Sequence, residues 1–473
     1  MPARAVYDRL LNLGLVVLLL GVGVLSFDRA SRGRYDFHHF YRDARHVWER
    51  RELNPNLTDP VPERRRQLPF YLPVVALALS PLTAFGWLPA ALLWSAAQVA
   101  ALGYSLTILR RWFAEGAAPP PPVVGFILAI LLALPALAEA GKFNQLSYFV
   151  LVLVLGAVRA LDRARPLAAG ALLGAAAVLK LLPGVFLLWL LLKRRWRAAG
   201  AMVAATVILA VAPPLVVFGP QRTVAYHREW WEYNVGCGWA AGIPESDLGA
   251  EPTTTPATVP AHFLDHRNQS IAQVLARLTQ PDHPFAAPFQ PLQLDPTACA
   301  WLARGLRVLL LAGLVWGTRR TWEALPINRR HAEAAVYAIG MLVFSPLLRQ
   351  YYLVWAVPGL VLLARAAAGG DVAQGHRTSL RQTAPSGRRC GRIGMLVWAL
   401  GLLAWIWPLP RVFGAHLVML IAMGILLLRA TRNNKERGGR YILRNTTQVL
   451  CPPKPKELFM AIRTSTSRAV LGV

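Results

Sequence analysis

The residues best suited to chemistry gather first at Arg32-Gly33-Arg34-Tyr35-Asp36-Phe37-His38-His39-Phe40-Tyr41. They follow directly on an apolar run, roughly residues 10–27, that is long enough to cross a bilayer. A carboxylate just beyond the hydrocarbon lies where a low dielectric tunes its pKa and a lipid-linked substrate reaches it, so Asp36 suits proton transfer. The same residue types also suit an interfacial belt, because Tyr and Trp gather at membrane surfaces and Arg snorkels there. Both readings stand at this point. A second charge lies at Lys180, inside an apolar run and beside Pro183. A lysine there is costly, and marks either a functional site or a side chain snorkelling from a helix end.

The elements that must hold these residues are set by composition. The 473-residue chain is 55% hydrophobic and 16% charged, against about 25% charged in ordinary soluble domains. This is the composition of an integral membrane protein with many spans. The first run is followed by Asp28, Arg29, Arg32 and Arg34 without a small-residue cleavage pattern, which fits a retained span rather than a signal peptide. The net charge of +27 is spread between apolar runs rather than gathered on one basic domain. Short cytoplasmic loops that collect Lys and Arg account for most of it, and binding to anionic lipid or phosphate for the remainder, so no nucleic-acid partner is expected. The four cysteines, Cys237, Cys299, Cys390 and Cys451, have no CxxC spacing. Cys237 and Cys299 flank the one long loop and could pair if it faces an oxidising side. His262, His266 and His283 lack regular ligand spacing, and neither a metal nor another cofactor is expected.

Along the chain, apolar runs alternate with basic clusters. The stretch 71–109 is too long for one straight span, and predicts either two spans or one span with a re-entrant segment. Runs follow at about 123–137 and 146–161, separated by Glu139-Ala140-Gly141-Lys142-Phe143-Asn144-Gln145. Pro183 within the run 167–192 predicts a broken pair of short helices. After a span at about 201–218 comes the longest polar segment, roughly 219–297, and then five further runs reaching residue 428. Placing the basic loops inside puts the loops around Asp36, Asn144, residues 219–297 and Arg349 outside. The loop 28–69 then carries ten arginines and seven acidic residues on the outer side. Those arginines either hold an anionic ligand such as a lipid phosphate or pair with the acids. The whole predicts an all-α polytopic protein of about eleven transmembrane helices, between roughly nine and thirteen. A membrane domain over residues 1–429 precedes a basic, solvated tail at 430–473.

The pattern Tyr35-Asp36-Phe37-x-x-Phe40-Tyr41 after a first span resembles the GT-C membrane glycosyltransferases. More narrowly it resembles the bacterial polyprenyl-phosphate-mannose-dependent α-mannosyltransferases. Phe70-Tyr71-Leu72-Pro73 with Ser80-Pro81-Leu82, Gly141 to Gln145, Leu179-Lys180-Leu181-Leu182-Pro183, Asn268-Gln269-Ser270 and Ser345-Pro346 through Val354 resemble that family's later motifs in order, over about residues 5–365. Two departures stand out. Arg349-Gln350-Tyr351-Tyr352 occupies positions where the family often has histidine, and Lys142 replaces its usual glutamine.

The resemblance implies a GT-C-like helical bundle whose first outer loop bears the catalytic Asp36, with one long outer loop later. A polyprenyl-phosphate sugar already has a good leaving group, so the requirements are a base for the acceptor hydroxyl and cations for the departing phosphate. By resemblance Asp36 is that base in an inverting displacement. Arg34, Arg42, Lys142, Lys180 and Arg349 become candidate phosphate contacts. Asn144, Gln145, Asn268 and Gln269 become candidates for sugar hydroxyls or, equally, for helix capping. His39, Tyr71 and Tyr351 complete the candidate substrate-binding set, His39 with an interfacial role as its other reading.

The expected enzyme is a hexosyltransferase of a bacterial inner membrane. It would move a hexose, mannose by resemblance, from a polyprenyl-phosphate donor to a lipid-linked or cell-envelope glycan on the extracytoplasmic face. Two other functions fit many spans with a long outer loop. One is a transporter or flippase for a lipid-linked glycan, which should show inverted repeats and mid-span ionisable groups. The other is an O-antigen-type polymerase or ligase, which relies on arginines in the late loop.

Overall fold

The computed structural model describes residues 2–49, 53, 71–115, 122–232, 234, 267–290, 292–369 and 385–432. All regular structure among them is helical. Five helices are long and apolar enough to cross a membrane: Val6–Ser31 within α1 (Pro2–Ser31), α4 (Trp87–Ala114), α5 (Val123–Lys142), α9 (Trp196–Trp231) and α11 (Pro296–Thr318). Shorter or more polar helices pack among them: α6 (Ser147–Asp162), α7 (Pro166–Leu179), α8 (Val185–Leu192), α12 (Ile327–Val343), α13 (Val357–Ala367), α14 (Pro385–Ile406) and α16 (Ala415–Arg432). Three short pieces, α2 (Asp36–Trp48), α3 (Pro73–Leu79) and α10 (Ile271–Thr279), lie at one end of the bundle, as does the five-residue α15 (Pro408–Val412).

Proline and glycine set the boundaries. Pro73, Pro166 and Pro296 each stand in the first turn of a helix, where a missing N–H costs nothing. Asp295 also caps α11 by accepting from the Ala298 amide at 2.9 Å. The stretch 71–109 resolves into α3, a 3-10 turn at Ser80–Phe85, and the single long α4. The run 167–192 breaks as expected: Lys180 is extended (φ −150°, ψ 134°), and Leu182–Gly184 forms a 3-10 turn before α8. Gly219 (φ 77°) interrupts α9 ahead of Pro220.

Close approach of small residues holds the middle of the bundle. On α7 a Cβ at Gly170 would run into the carbonyl oxygen of Ala198 on α9, and one at Gly174 would lie 2.7 Å from that of Met202. Two glycines four residues apart therefore let these backbones touch, which is how helices associate where lipid removes any hydrophobic drive.

The structure departs from expectation in one segment. The segment 219–297 was expected to be one long polar loop. Its first part is instead helical from Pro220 to Trp231, turned off the preceding helix at Gly219, and residues 271–279 form α10, whose Ile271, Val274 and Ala276 are buried. A mean-polarity reading misses a short amphipathic helix because its apolar residues occupy one face only. Helix α16 ends at Arg432, where the expected tail begins. Residues 433–473 lie outside the described residues, as do Cys237, Cys451, His262 and His266. Cys299, the other half of the suggested cysteine pair, is buried in α11.

Polar groups concentrate at the two ends. One end carries Asp36, Gln145 and Lys180. The other carries Lys193 paired with Glu333, and Arg329 bonded to the same carboxylate at 3.1 Å. There His331 contacts Asp162 at 2.9 Å and stacks on Trp112. Buried charges of this kind are kept in register by such pairing.

Candidate active site

Asp36 is the first residue of α2, and its backbone amide donates to the Phe143 carbonyl at 3.3 Å. The preceding Tyr35 has φ 63°, a sparsely populated region for a residue with a Cβ. Such backbone strain persists only where the surroundings over-determine it, and it clusters at working sites. Here the Tyr35 ring lies 4.5 Å from that of Phe143. Beneath α2, Phe37 and Phe40 are buried against Trp94, with Trp87 and Tyr71 alongside. The aromatics around Asp36 are thus packing that fixes the start of the helix.

Three other segments converge on the carboxylate. Tyr71, just before α3, donates its hydroxyl to Asp36 at 3.0 Å. Gln145, in the α5–α6 turn, donates its amide to the same oxygen. The Gln145 amide oxygen accepts from the Lys180 ammonium at 2.8 Å. Lys180 occupies the break between α7 and α8 and lies 4.1 Å from the centre of the Tyr352 ring. Tyr71, Tyr351 and Trp355 each present a ring at 5.8 Å. Aromatic faces stabilise a desolvated cation that has one hydrogen-bond partner. The result is a carboxylate and an ammonium joined through one amide.

A cavity of about 970 Å³ lies over this group, lined also by His39, Glu139, Lys142, Arg267, Arg349 and Arg411. Burial raises the Asp36 carboxyl to about 6, while Lys180 and the hydrogen bonds from Tyr71 and Gln145 pull it partly back. Burial, together with neighbouring Arg42 and His38, lowers His39 to about 4, so it is neutral at ordinary pH.

Of the residues singled out from the sequence, Asp36, His39, Tyr71, Lys142, Gln145, Lys180, Arg349 and Tyr351 line this cavity. Five others do not. Arg34 is exposed beside it, and Arg42 is bonded to Asp43 at 2.8 Å. Asn144 is fully buried, accepting from Ser26 at 2.6 Å and from Gln98 at 3.1 Å. Asn268 accepts from the amides of Ser270 and Leu348, both at 3.1 Å. Gln269 donates to the Arg411 carbonyl at 2.7 Å. These three amides tie segments together rather than face the cavity.

Sequence reasoning also passed over cavity residues. Arg267 adjoins the Asn268-Gln269-Ser270 motif and Glu139 stands one helical turn before Lys142, so both were within reach. Arg411 sits in a short polar break between the last two runs, where nothing in the spacing marks it.

The sequence profile of glycosyltransferase family 87 matches residues 70–346 of this chain. The chain belongs to that family. Tyr71, Lys142, Gln145 and Lys180 fall within the match, and Asp36 precedes it. Two relatives carry the name polyprenol-phosphate-mannose-dependent alpha-(1-2)-phosphatidylinositol mannoside mannosyltransferase. That of Mycobacterium tuberculosis is 30% identical over 314 residues, covering 63% of this chain and 62% of its own. That of Mycolicibacterium smegmatis is 26% identical over 318 residues, with the same two shares. The chain thus spans somewhat under two thirds of each relative's length. Among solved structures, ArnT from Cupriavidus metallidurans bound to undecaprenyl phosphate is similar at 20% identity. The likeness covers 93% of this chain and 82% of that one, with a TM-score of 0.33. Family membership and the apolar helices make the family 87 chain a multi-pass membrane protein.

Proposed function

We propose that this family 87 protein transfers mannose from a polyprenyl-phosphate donor to a hydroxyl of a lipid-linked or cell-envelope glycan, on the extracytoplasmic face of a bacterial inner membrane. The observation that carries the reading is the Asp36–Gln145–Lys180 line beneath one cationic cavity. The names of the two mycobacterial relatives support the donor and the sugar. The transporter reading finds no support in a family of glycosyltransferases.

In this reaction the acceptor hydroxyl gives its proton to the Asp36 carboxylate as its oxygen attacks the anomeric carbon. The bond from that carbon to the phosphate oxygen breaks, and polyprenyl phosphate leaves with the electron pair. A single displacement inverts the anomeric centre. The proton has a ready acceptor because burial has made the carboxylate more basic than an exposed one. Charge developing on the phosphate meets Lys180, Lys142 and Arg349 at the same cavity. Apolar Leu72, Val178 and Leu182 on the cavity wall suit the first isoprene units of the donor. Lys142, held near Glu139 at 3.6 Å, stands where it would meet a phosphate or a sugar hydroxyl.

The test is transfer of radiolabelled mannose from polyprenyl-phosphate-mannose by membranes carrying Asp36→Asn at matched protein level. Loss of general-base catalysis should lower the rate by about 10²–10⁴-fold. Full activity of the variant would remove Asp36 from the mechanism.

A further inference from the structure

Helices α11, α12 and α16 leave a groove of about 410 Å³ between them, which runs from Phe344, a residue that also lines the Asp36 cavity, to the opposite end of the bundle. Its walls are aliphatic, and glycines at 313, 317, 340 and 424 keep it open. A Cβ at Gly313 would meet no atom within 4 Å, and one at Gly424 would meet its first at 4.0 Å. Leu309, Trp316 and Ile425 on the rim are 71%, 57% and 47% exposed, so the groove opens sideways, where lipid would lie.

One end of this apolar channel is crowned by Arg319, Arg320, Arg329 and Arg429. Arg329 is already bonded to Glu333, and that carboxylate also pairs with Lys193, so two cations share one acid. Arg319 stacks over Trp316 at 5.0 Å. Burial and the like charges of Arg329 and Arg319 lower the pKa of Arg320, a sign of crowded positive charge. An apolar slot ending in four arginines that share one carboxylate, Glu333, among the described residues matches a lipid with an acyl chain and an anionic head. The protein's own tail is a poor occupant, because residues 433–473 carry eight Lys or Arg against two Glu and would meet like charge.

We propose that this groove binds an anionic phospholipid, its chain against the glycines and its phosphate on Arg319, Arg320 and Arg429, in the leaflet opposite the Asp36 cavity. The arginine end of the groove lies away from Asp36, and the test reads lipid retention rather than transfer.

Delipidated full-length protein would be incubated with phosphatidylglycerol or phosphatidylcholine of identical chains, and retained lipid read by native mass spectrometry. Phosphatidylglycerol should be retained and phosphatidylcholine lost. The pair Arg319→Gln with Arg320→Gln should weaken retention by about fivefold per arginine. Gly313→Leu, whose side chain enters open space, should abolish it without lowering the unfolding temperature. If that variant fails to fold, the arginine pair decides. Equal retention of the two lipids, displacement by inorganic phosphate or polyprenyl phosphate, or unchanged retention in the arginine pair would overturn the proposal. So would a photo-crosslinker at position 313 that captures residues 433–473 rather than lipid in native membranes.

Discussion

Asp36 and Lys180 are opposite charges held in one buried neighbourhood, and their separation by Gln145 explains why neither simply neutralises the other. Burial raises Asp36 to about 6, and it must be ionised to accept a proton. The rate should therefore rise with pH through about 6. Below that value kcat/KM should fall about tenfold per pH unit, as expected for one essential base. A pH–rate profile of purified protein checks this, and an acid limb near 4 would show that burial does not act on the carboxylate. Lys180→Met should lower kcat by about 10²–10³-fold if the ammonium meets phosphate charge in the transition state. Lys180→Arg should restore part of that loss, because the aromatic rings around it accept either cation. A merely structural lysine would change protein yield and leave the turnover of folded protein intact.

The α5–α6 turn shows how one element serves both chemistry and assembly. Two adjacent amides diverge there: Gln145 points to the carboxylate, whereas Asn144, with φ 56°, points into the bundle. Asn144 takes hydrogen bonds from α1 and α4 and returns one to the Ser26 carbonyl at 3.1 Å, so it fixes the turn that aims Gln145. Asn144→Ala removes these bonds, worth about 1 kcal/mol each. It also leaves a Cβ residue without an amide in a left-handed conformation, at about 1–2 kcal/mol. A clear drop in unfolding temperature should result, with the KM for donor nearly unchanged, since Asn144 does not face the cavity. A large rise in KM at unchanged stability would instead place it among the substrate contacts. The break at Lys180 and the position of Asp36 were legible in the sequence, because a lysine and a proline inside an apolar run, and an acid just after one, are local signals. The roles of Asn144, Asn268 and Gln269 were not. An amide's type shows that it needs partners, but Ser26 is 118 residues from Asn144 and Leu348 is 80 from Asn268. Only the packing chooses between a ligand and a distant backbone. Arg42 lies six residues along α2 from Asp36, on another face of the helix, where it pairs with Asp43, and Arg34 stands before the helix begins.

Among the described residues the ion pairs and the cavity lie at two ends of the bundle, separated by a mainly apolar belt in which Gln98 and Arg307 are buried polar exceptions. Asp36, Gln145, Lys180 and Arg349 meet at one, and Lys193, Glu333 and Arg329 at the other. The basic loops Lys193 to Arg197 and Arg319-Arg320 belong to the second end, so the charge rule places that end inside and the cavity outside. The first loop, with its many arginines, opposes that assignment, and long loops escape the rule. The two influences are separable by experiment. Arg34 is exposed beside the cavity and Ala324 is exposed near the Lys193 end. In a background with the four cysteines replaced, Arg34→Cys should react with a membrane-impermeant maleimide in intact cells. Ala324→Cys should react only after the membrane is opened. The reverse pattern would put Asp36 on the cytoplasmic side. Transfer would then have to use a donor and an acceptor presented in the inner leaflet, and the arginine-crowned groove would face the outer one. Both positions reacting in intact cells would break the apolar belt itself, because two ends on one side cannot be joined by helices such as α4 and α5 that each run the length of the bundle.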